Sequence, residues 1–407
     1  MRPLEEIKDR IRGCLMAGAA GDALGYTVEF DHRDEILATF GEQGITKFKL
    51  DPRGIALISD DTQMTLFTAN GELMGLTRGY MRGIGGTPEH YVQYAYEDWY
   101  YTQKGKPQEE YYSYTWLYHL PELWSRRAPG VTCLDACRNI INHQEVHNNS
   151  KGCGGVMRVA PLALYMAGHN VREEGIPYSP EELAVAGGVI AECTHKHPLG
   201  YLPAAALTNL LYNIVLLPTE EAKRDIDRLV WDSTYILDKA YPEEEFREAR
   251  DEMQRLCDKA IELAHSDLSD AEAILKLGEG WVGEEAWAIA IFCVVRHINS
   301  VEDAIITSVN HSGDSDSTGS ITGNIMGAIY GYEHIKERDI LCPDGHRLEQ
   351  TLELTEVILA IADDLATGCP IAAYEPIDTP EKIQWYVRYC KMLPEGIGGR
   401  RYPEEWY

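Results

Sequence analysis

The sequence predicts an all-α protein folded as one compact domain over residues 1–407. Three observations carry this. Apolar positions recur at helical spacing along most of the chain, strand signals are few, and no Gly/Ser linker, low-complexity tract or fixed-period repeat divides it. An apolar share of 44% with 25% charged residues is that of a globular protein long enough to bury a large core.

Taken in order, Ile7, Ile11, Cys14, Leu15, Gly18 and Ala19 form the stripe of a first helix, which Gly25 would end as a C-cap. The best strand candidate is the short run Ile45–Leu50. Helices are expected at Leu183–Cys193, Ala204–Leu217, Glu284–His297, Val301–Asn310, Thr318–Tyr332, Leu348–Ala366 and Pro380–Cys390. Glu243–His265 reads as an exposed amphipathic helix. Pro/Gly clusters at 83–88, 127–130 and 175–180 read as loops between helices. A Tyr-rich helical insertion occupies about 88–125, where nine of the 24 tyrosines fall between 91 and 118 beside Trp99 and Trp116. Mutual packing of these rings is the simpler reading, and a wall for stacking a ligand is the other. Further helices fill 345–407.

Pro198 to Thr219 carries no charge and is long enough to cross a bilayer, but Pro203, Thr208, Asn209 and Asn213 interrupt it, and a buried core helix is expected. The ten cysteines contain no CxxC pair, and Cys133/Cys137 has no partners for a zinc site. Reduced thiols in a cytoplasmic protein follow. The charged N-terminus does not read as a signal peptide. With 37 Lys+Arg against 65 Asp+Glu the net charge is −28, which disfavours a general nucleic-acid binder because no counterion release would drive it.

Two acidic clusters open helices. Ser59-Asp60-Asp61-Thr62 precedes Met64, Leu66 and Phe67; Asp314-Ser315-Asp316-Ser317-Thr318 precedes Ile321 and Ile325. Either one alone is also what a helix start needs for capping. Each, however, gathers more oxygen-bearing side chains than a cap uses. Carboxylates and hydroxyls without His or Cys suit hard divalent cations such as Mg²⁺, Mn²⁺ or Ca²⁺. If the two starts converge, Ser59, Asp60, Asp61, Asp314, Asp316 and Ser317 can hold two ions that share bridging carboxylates. The EF-hand spacing is not met. Ser150–Arg158 fails the P-loop pattern, yet its glycines Gly152, Gly154 and Gly155 before a helix would let N–H groups face a phosphate. Gly21–Phe30 is a Gly-rich turn whose Glu29 is read as solvated when taken alone, and Thr194–Pro198 brings His195 between two apolar helices.

GDALGxxxEF, SDDTQM, GCGGVMRVAPLAL, THKHP and GDSDSTGSITG occur in that order between about 11 and 331. Together they resemble the ADP-ribosylglycohydrolase family. The resemblance implies an orthogonally packed helical bundle with a two-ion Mg²⁺ or Mn²⁺ centre, held by Ser59, Asp60 and Asp61 and by Asp314, Asp316 and Ser317. It implies an acid on the loop after the first helix at Glu29. It also implies a phosphate-and-ribose loop at Gly152–Arg158, including Cys153, Gly154, Gly155 and Met157, and a substrate-binding His195. Cys153 stands where the family often carries Asn, and serines replace threonines at 59 and 317.

The implied reaction is hydrolysis of the glycosidic bond of an ADP-ribosylated acceptor, protein arginine being one candidate, with Glu29 or Asp61 moving the proton. The other readings are a non-catalytic ADP-ribose or nucleotide binder of the same fold and a helical scaffold that takes up no metal. Two divalent ions would bring four positive charges to an acidic pocket, so the net charge does not exclude a small anionic substrate.

Overall fold

The computed structural model describes residues 3–82, 88–106, 111–173, 178–373 and 375–390, and these fold into helices joined by loops, with no strand among them. The loops expected at 83–88 and 175–180 therefore lie partly outside the described residues, as does the C-terminal region 391–407. The longer helices are α1 Leu4–Gly25, α2 Asp60–Arg82, α3 Pro88–Thr102, α4 Val131–Ile141, α5 Ala160–Glu173, α6 Pro180–Glu192, α7 Pro198–Leu216, α8 Arg247–Ala264, α9 Gly283–Arg296, α10 Val301–Val309, α11 Ser315–Tyr330, α12 Thr355–Thr367 and α13 Pro380–Tyr389.

At the centre, α1 and α11 lie against each other with almost no side chains between them. A methyl group on Gly21 would sit 2.0 Å from the Gly319 carbonyl oxygen, and one on Gly323 would sit 2.0 Å from that of Ala17. The other helices surround this seam. Arg10 of α1, itself buried, donates to the carbonyls of Ala328 and Ile329, which satisfies the open C-terminal end of α11. Nearly every residue of the long apolar helix α7 is buried, so it belongs to the core, as its interrupting polar residues predict. It begins before the predicted Ala204 because Pro198 sits at its first turn, where a missing N–H costs nothing. On α8, Met253, Leu256, Cys257 and Ala260 face inward, as the amphipathic spacing predicts. All ten cysteines are unpaired.

Three expectations are corrected. Ile45–Leu50 is not a strand. Its backbone bonds go to the Asn310 side chain at Ile45 and to the Leu341 carbonyl at Phe48, so no ladder forms. Among the described residues the only bridges are isolated ones, Ala56 with Leu352 and Gly152 with Val282. The helix expected over Leu348–Ala366 is split into Leu348–Thr351 and α12, because the intervening backbone turns to bond Ala56 and Leu354 takes a left-handed φ of 60°. Gly25 is not a left-handed cap. It is the last residue of α1, and a methyl group there would lie 2.2 Å from the Ser315 carbonyl oxygen.

In the Tyr-rich region the rings pack on one another: Tyr94 stacks on Tyr114 at 4.6 Å, and Tyr111 lies between Tyr101 and Tyr118. Buried Asp98 holds them by accepting from the Tyr111 hydroxyl and the Tyr114 and Thr115 N–H groups.

The seam yields a prediction. Gly323→Ala should lower stability by about 1–3 kcal/mol in denaturant unfolding, because the clash is with backbone and outweighs the gain of about 1 kcal/mol in helix propensity.

Candidate active site

Packing α1 on α11 sets the C-terminal end of one helix beside the N-terminal end of the other. Asp22, fully buried on the last turn of α1, reaches across to the start of α2. There it accepts from the Ser59 N–H at 3.0 Å, the Thr62 N–H at 3.1 Å and the Thr62 hydroxyl. One carboxylate thus caps a helix belonging to another part of the chain, in the position where negative charge is favoured. Burial pushes its carboxyl up to about 6, against the pull of those hydrogen bonds.

Ser59 caps the same end, its hydroxyl accepting from the Asp61 N–H at 3.1 Å. The backbone of Asp60 is tied to the Arg127 carbonyl, and Arg127 in turn pairs with buried Glu353, which accepts from the Ile58 N–H. The entry to α2 is therefore held from three directions.

The second cluster is built in the same manner. Gly313 has φ of 131°, and a side chain there would run into the Glu279 carbonyl, which accepts from the Asp314 N–H at 2.9 Å. Asp314 caps α11 by accepting from the Ser317 N–H at 3.2 Å, and Asp316 accepts from the same group at 2.9 Å. The helix consequently starts at Ser315, before the predicted Thr318. The Ser317 hydroxyl points at the sulfur of buried Met157.

Glu29, on the turn that follows α1, is 7% exposed and hydrogen-bonds to Asp316, so the loop acid and both clusters meet. Burial first, then the charges of Asp314 and Asp60, push the Glu29 carboxyl up to about 9. Asp60, Asp61 and Asp316 are likewise held well above the usual carboxylate range, by burial and by one another. Glu29 Oε2 and Asp61 Oδ1 are buried with no hydrogen-bond partner.

These unfilled oxygens, together with the Ser59 and Ser317 hydroxyls, form a donor set that fits a hard divalent ion. Among the described residues no three His, Cys, Asp or Glu side chains gather as a ligand group, so hydroxyl and water oxygens must complete any such shell.

The glycine loop closes one side of the cleft. Gly152 bridges to Val282, and the Cys153 N–H donates to the Trp281 carbonyl at 3.3 Å. Val156 and Met157 donate back to Cys153, which leaves the Gly154 and Gly155 N–H groups without a partner among the described residues. The Cys153 thiol contacts Asp314 Oδ2 at 2.6 Å and joins this loop to the second acidic cluster.

His195 lies beneath the loop, 2% exposed, with Nδ1 2.8 Å from the Thr194 hydroxyl; side chains on Gly152 or Gly154 would press on its ring. Burial, and then Arg158, lower its pKa to about 3. It is a neutral support for the loop. Arg158 departs from the phosphate-loop expectation: it is fully buried, donates to Thr194, Met64 and Cys133, and lies 4.7 Å from the Tyr96 ring, away from the cleft.

Two aromatic residues that the motifs do not single out stand at the rim. Phe30, 70% exposed, and Trp281, 40% exposed, stack at 6.0 Å between ring centroids. Only their adjacency to Glu29 and to the Gly278–Gly280 turn marks them in sequence.

Residues 3–372 match the ADP-ribosylglycohydrolase family profile. The chain belongs to the ADP-ribosylglycohydrolase family. It is 27% identical to mouse ADP-ribosylhydrolase ARH3 over 246 residues, which is 53% of this chain and 62% of that protein. It is 24% identical to the ADP-ribosyl-[dinitrogen reductase] glycohydrolase of Rhodospirillum rubrum over 81% of this chain and 88% of that one. A solved structure, an ADP-ribosylglycohydrolase-related protein complex, superposes with a TM-score of 0.57 at 21% identity over 89% of this chain and 98% of its own. This likeness extends the fold of the family to the chain.

The buried acids give the metal-free protein a signed pH dependence. The Glu29 carboxyl is raised from 4.5 to about 9, so its contribution is fully present below 4.5 and is lost as pH rises toward 9. Melting temperatures measured with chelator across this window should fall less steeply for Glu29→Gln than for the parent protein.

Proposed function

We propose that the protein hydrolyses the glycosidic bond at C1″ of an ADP-ribosylated acceptor, releasing ADP-ribose. The observation that carries this reading is the meeting of Glu29, both acid-and-hydroxyl helix starts and the glycine loop in one cleft, linked by the Cys153–Asp314 contact. Such a cleft offers two opposite surfaces: free N–H groups suited to a diphosphate, and buried carboxylates suited to positive charge.

Ser59, Asp60, Asp61, Asp314, Asp316 and Ser317 would hold two Mg²⁺ or Mn²⁺ ions. When bound, these would supply Lewis acidity and lower the pKa of a water. Neutralising the mutual repulsion among these acids is itself a reason for such ions to bind.

The chain's own groups divide the work. The Gly154 and Gly155 N–H groups bind the diphosphate, with His195 holding the loop from below. Trp281, whose carbonyl anchors that loop, offers its exposed face to the adenine. The carboxylates around the ribose stabilise positive charge that develops at C1″ and its ring oxygen as the bond to the acceptor breaks, as in other glycoside hydrolyses. Bound cations would offset the burial and mutual repulsion that keep these carboxyls protonated, and Glu29 and Asp61, once ionised in this way, are the groups that would take a proton from the attacking water. Glu29 is the better placed of the two, since it sits on the cleft's outer loop while Asp61 is part of a helix start. Exposed Glu279 beside the cleft suits a cationic acceptor, which makes arginine the first linkage to try.

The test is a panel of substrates, each ADP-ribosylated through one defined linkage, assayed for ADP-ribose release with Mg²⁺, with Mn²⁺ and with chelator. Release from at least one linkage with either metal is expected. Glu29→Gln should lower kcat by about 10²–10⁴-fold. Undiminished turnover by a chelated Asp60→Ala/Asp316→Ala variant would remove the two-ion account. Binding of ADP-ribose without hydrolysis of any linkage would instead make the protein a binder. Trp281→Ala should raise KM by about ten- to a hundredfold with kcat little changed, as expected for loss of one base-stacking contact.

A further inference from the structure

Arg158 is a fully buried cation whose hydrogen bonds, among the described residues, go to no carboxylate. It donates to the Met64 and Cys133 sulfurs and to the Thr194 hydroxyl, and its guanidinium lies 4.7 Å from the Tyr96 ring. A buried charge held by neutral groups alone is costly, and an apolar side chain could fill the same space without that cost. The Thr194 hydroxyl carries the influence of this charge onward to His195.

Because the Thr194 oxygen accepts from Arg158, its own proton is left for one of two acceptors. His195 Nδ1 lies at 2.8 Å and the Ala191 carbonyl at 3.4 Å. That carbonyl already accepts from the Thr194 and His195 N–H groups at 3.1 Å each, so the hydroxyl proton goes to Nδ1. The guanidinium reinforces this choice. It polarises the hydroxyl as a donor and favours a lone pair over an N–H on the ring nitrogen that faces it. The proton of the neutral ring therefore sits on Nε2. That atom has no hydrogen-bond partner among the described residues and faces the glycine loop, where a methyl group on Gly152 would lie 3.3 Å from it.

We propose that Arg158 is a positioning residue for the diphosphate: through Thr194 it fixes His195 as the Nε2–H tautomer, so that the ring presents the glycine loop with a donor and never with a lone pair. This inference rests on the reading of that loop as the diphosphate site, and adds to it a residue that touches no substrate. The Gly154 and Gly155 N–H groups and the imidazole N–H then form an inner face of donors alone, which suits the oxygens of an anion. The other charged or titratable groups around the ring are engaged elsewhere or neutral. Lys151 pairs with Glu284, Lys196 pairs with Glu192, His197 accepts from the Leu199 N–H, and burial keeps the Cys133 thiol protonated.

The test follows the ring-nitrogen signals of His195 in the full chain labelled with ¹⁵N-histidine, identified by their loss in His195→Gln. The two nitrogens shift according to which one carries the proton, so the tautomer is read directly. In the parent protein His195 should be the Nε2–H form alone and stay neutral from about pH 5 to pH 8. In Arg158→Met the Nδ1–H form should appear, and the ring should protonate more readily as pH falls. Affinity for ADP-ribose in Mg²⁺, measured by calorimetry, should drop about tenfold in the same variant. Arg158→Lys keeps a cation and should keep the parent signals; circular dichroism establishes that the variants are folded. A parent protein carrying the proton on Nδ1, or protonating His195 within that pH range, would overturn the proposal without any variant. So would a folded Arg158→Met protein with the parent signals, or one with a released tautomer and unchanged ADP-ribose affinity. Failure of the parent protein to bind ADP-ribose would instead overturn the diphosphate reading of the loop, while the nitrogen signals still decide whether Arg158 fixes the tautomer.

Discussion

Everything at the cleft depends on the contact between α1 and α11. Because Gly21, Gly25, Gly319 and Gly323 carry no side chains, the two backbones approach within direct van der Waals contact. That approach brings the last turn of α1, with Asp22 and the turn to Glu29, against the first turn of α11, with Asp314 and Asp316. Separating the helices by the width of one methyl group would move Glu29 off Asp316. A packing feature thereby sets the geometry of the chemistry.

The second constraint is electrostatic. Asp22, Glu29, Asp60, Asp61 and Asp316 are all buried, and burial raises the proton affinity of each, with neighbouring carboxylates adding to it at Glu29, Asp60, Asp61 and Asp316. Asp22 is the best supported, since three donors at the head of α2 point at it; Asp61 and Glu29 are the least supported. Groups that are buried, charged and incompletely satisfied are costly to keep unless a ligand compensates them. Their position at two helix starts, where the helix dipole already favours negative charge, lowers that cost without removing it.

Most of the fold is legible in sequence wherever the helical period is clear and a capping side chain precedes it, as Ser179 does at α6, Ser300 at α10 and Thr379 at α13. What escapes is set by partners remote in the chain. Ile45–Leu50 has a strand's composition, yet Asn310 and Leu341 take its backbone bonds. The break before α12 arises because Ala56 pairs with the chain at Thr351–Glu353. The candidate site divides in the same way. The acidic clusters announce themselves because so many oxygen donors adjoin one another, and their convergence with Glu29 follows the motif order. Phe30 and Trp281 are invisible, since a lone aromatic residue in a turn has no pattern. The inward turn of Arg158 is invisible for a different reason: its partners Thr194, Cys133 and Tyr96 come from three other helices or their ends.

The short segment from Gly278 to Val282 is tied at both ends of the cleft. Glu279 accepts from Asp314, Trp281 accepts from Cys153, and Val282 bridges to Gly152. Its length is therefore a shared dimension of the phosphate-facing loop and the acidic cluster. A residue inserted there would put both out of register at once. The aromatic turn at Phe30 has no such double anchorage, so a residue inserted on that side of the rim would leave the phosphate-facing loop and the acidic cluster in register with each other.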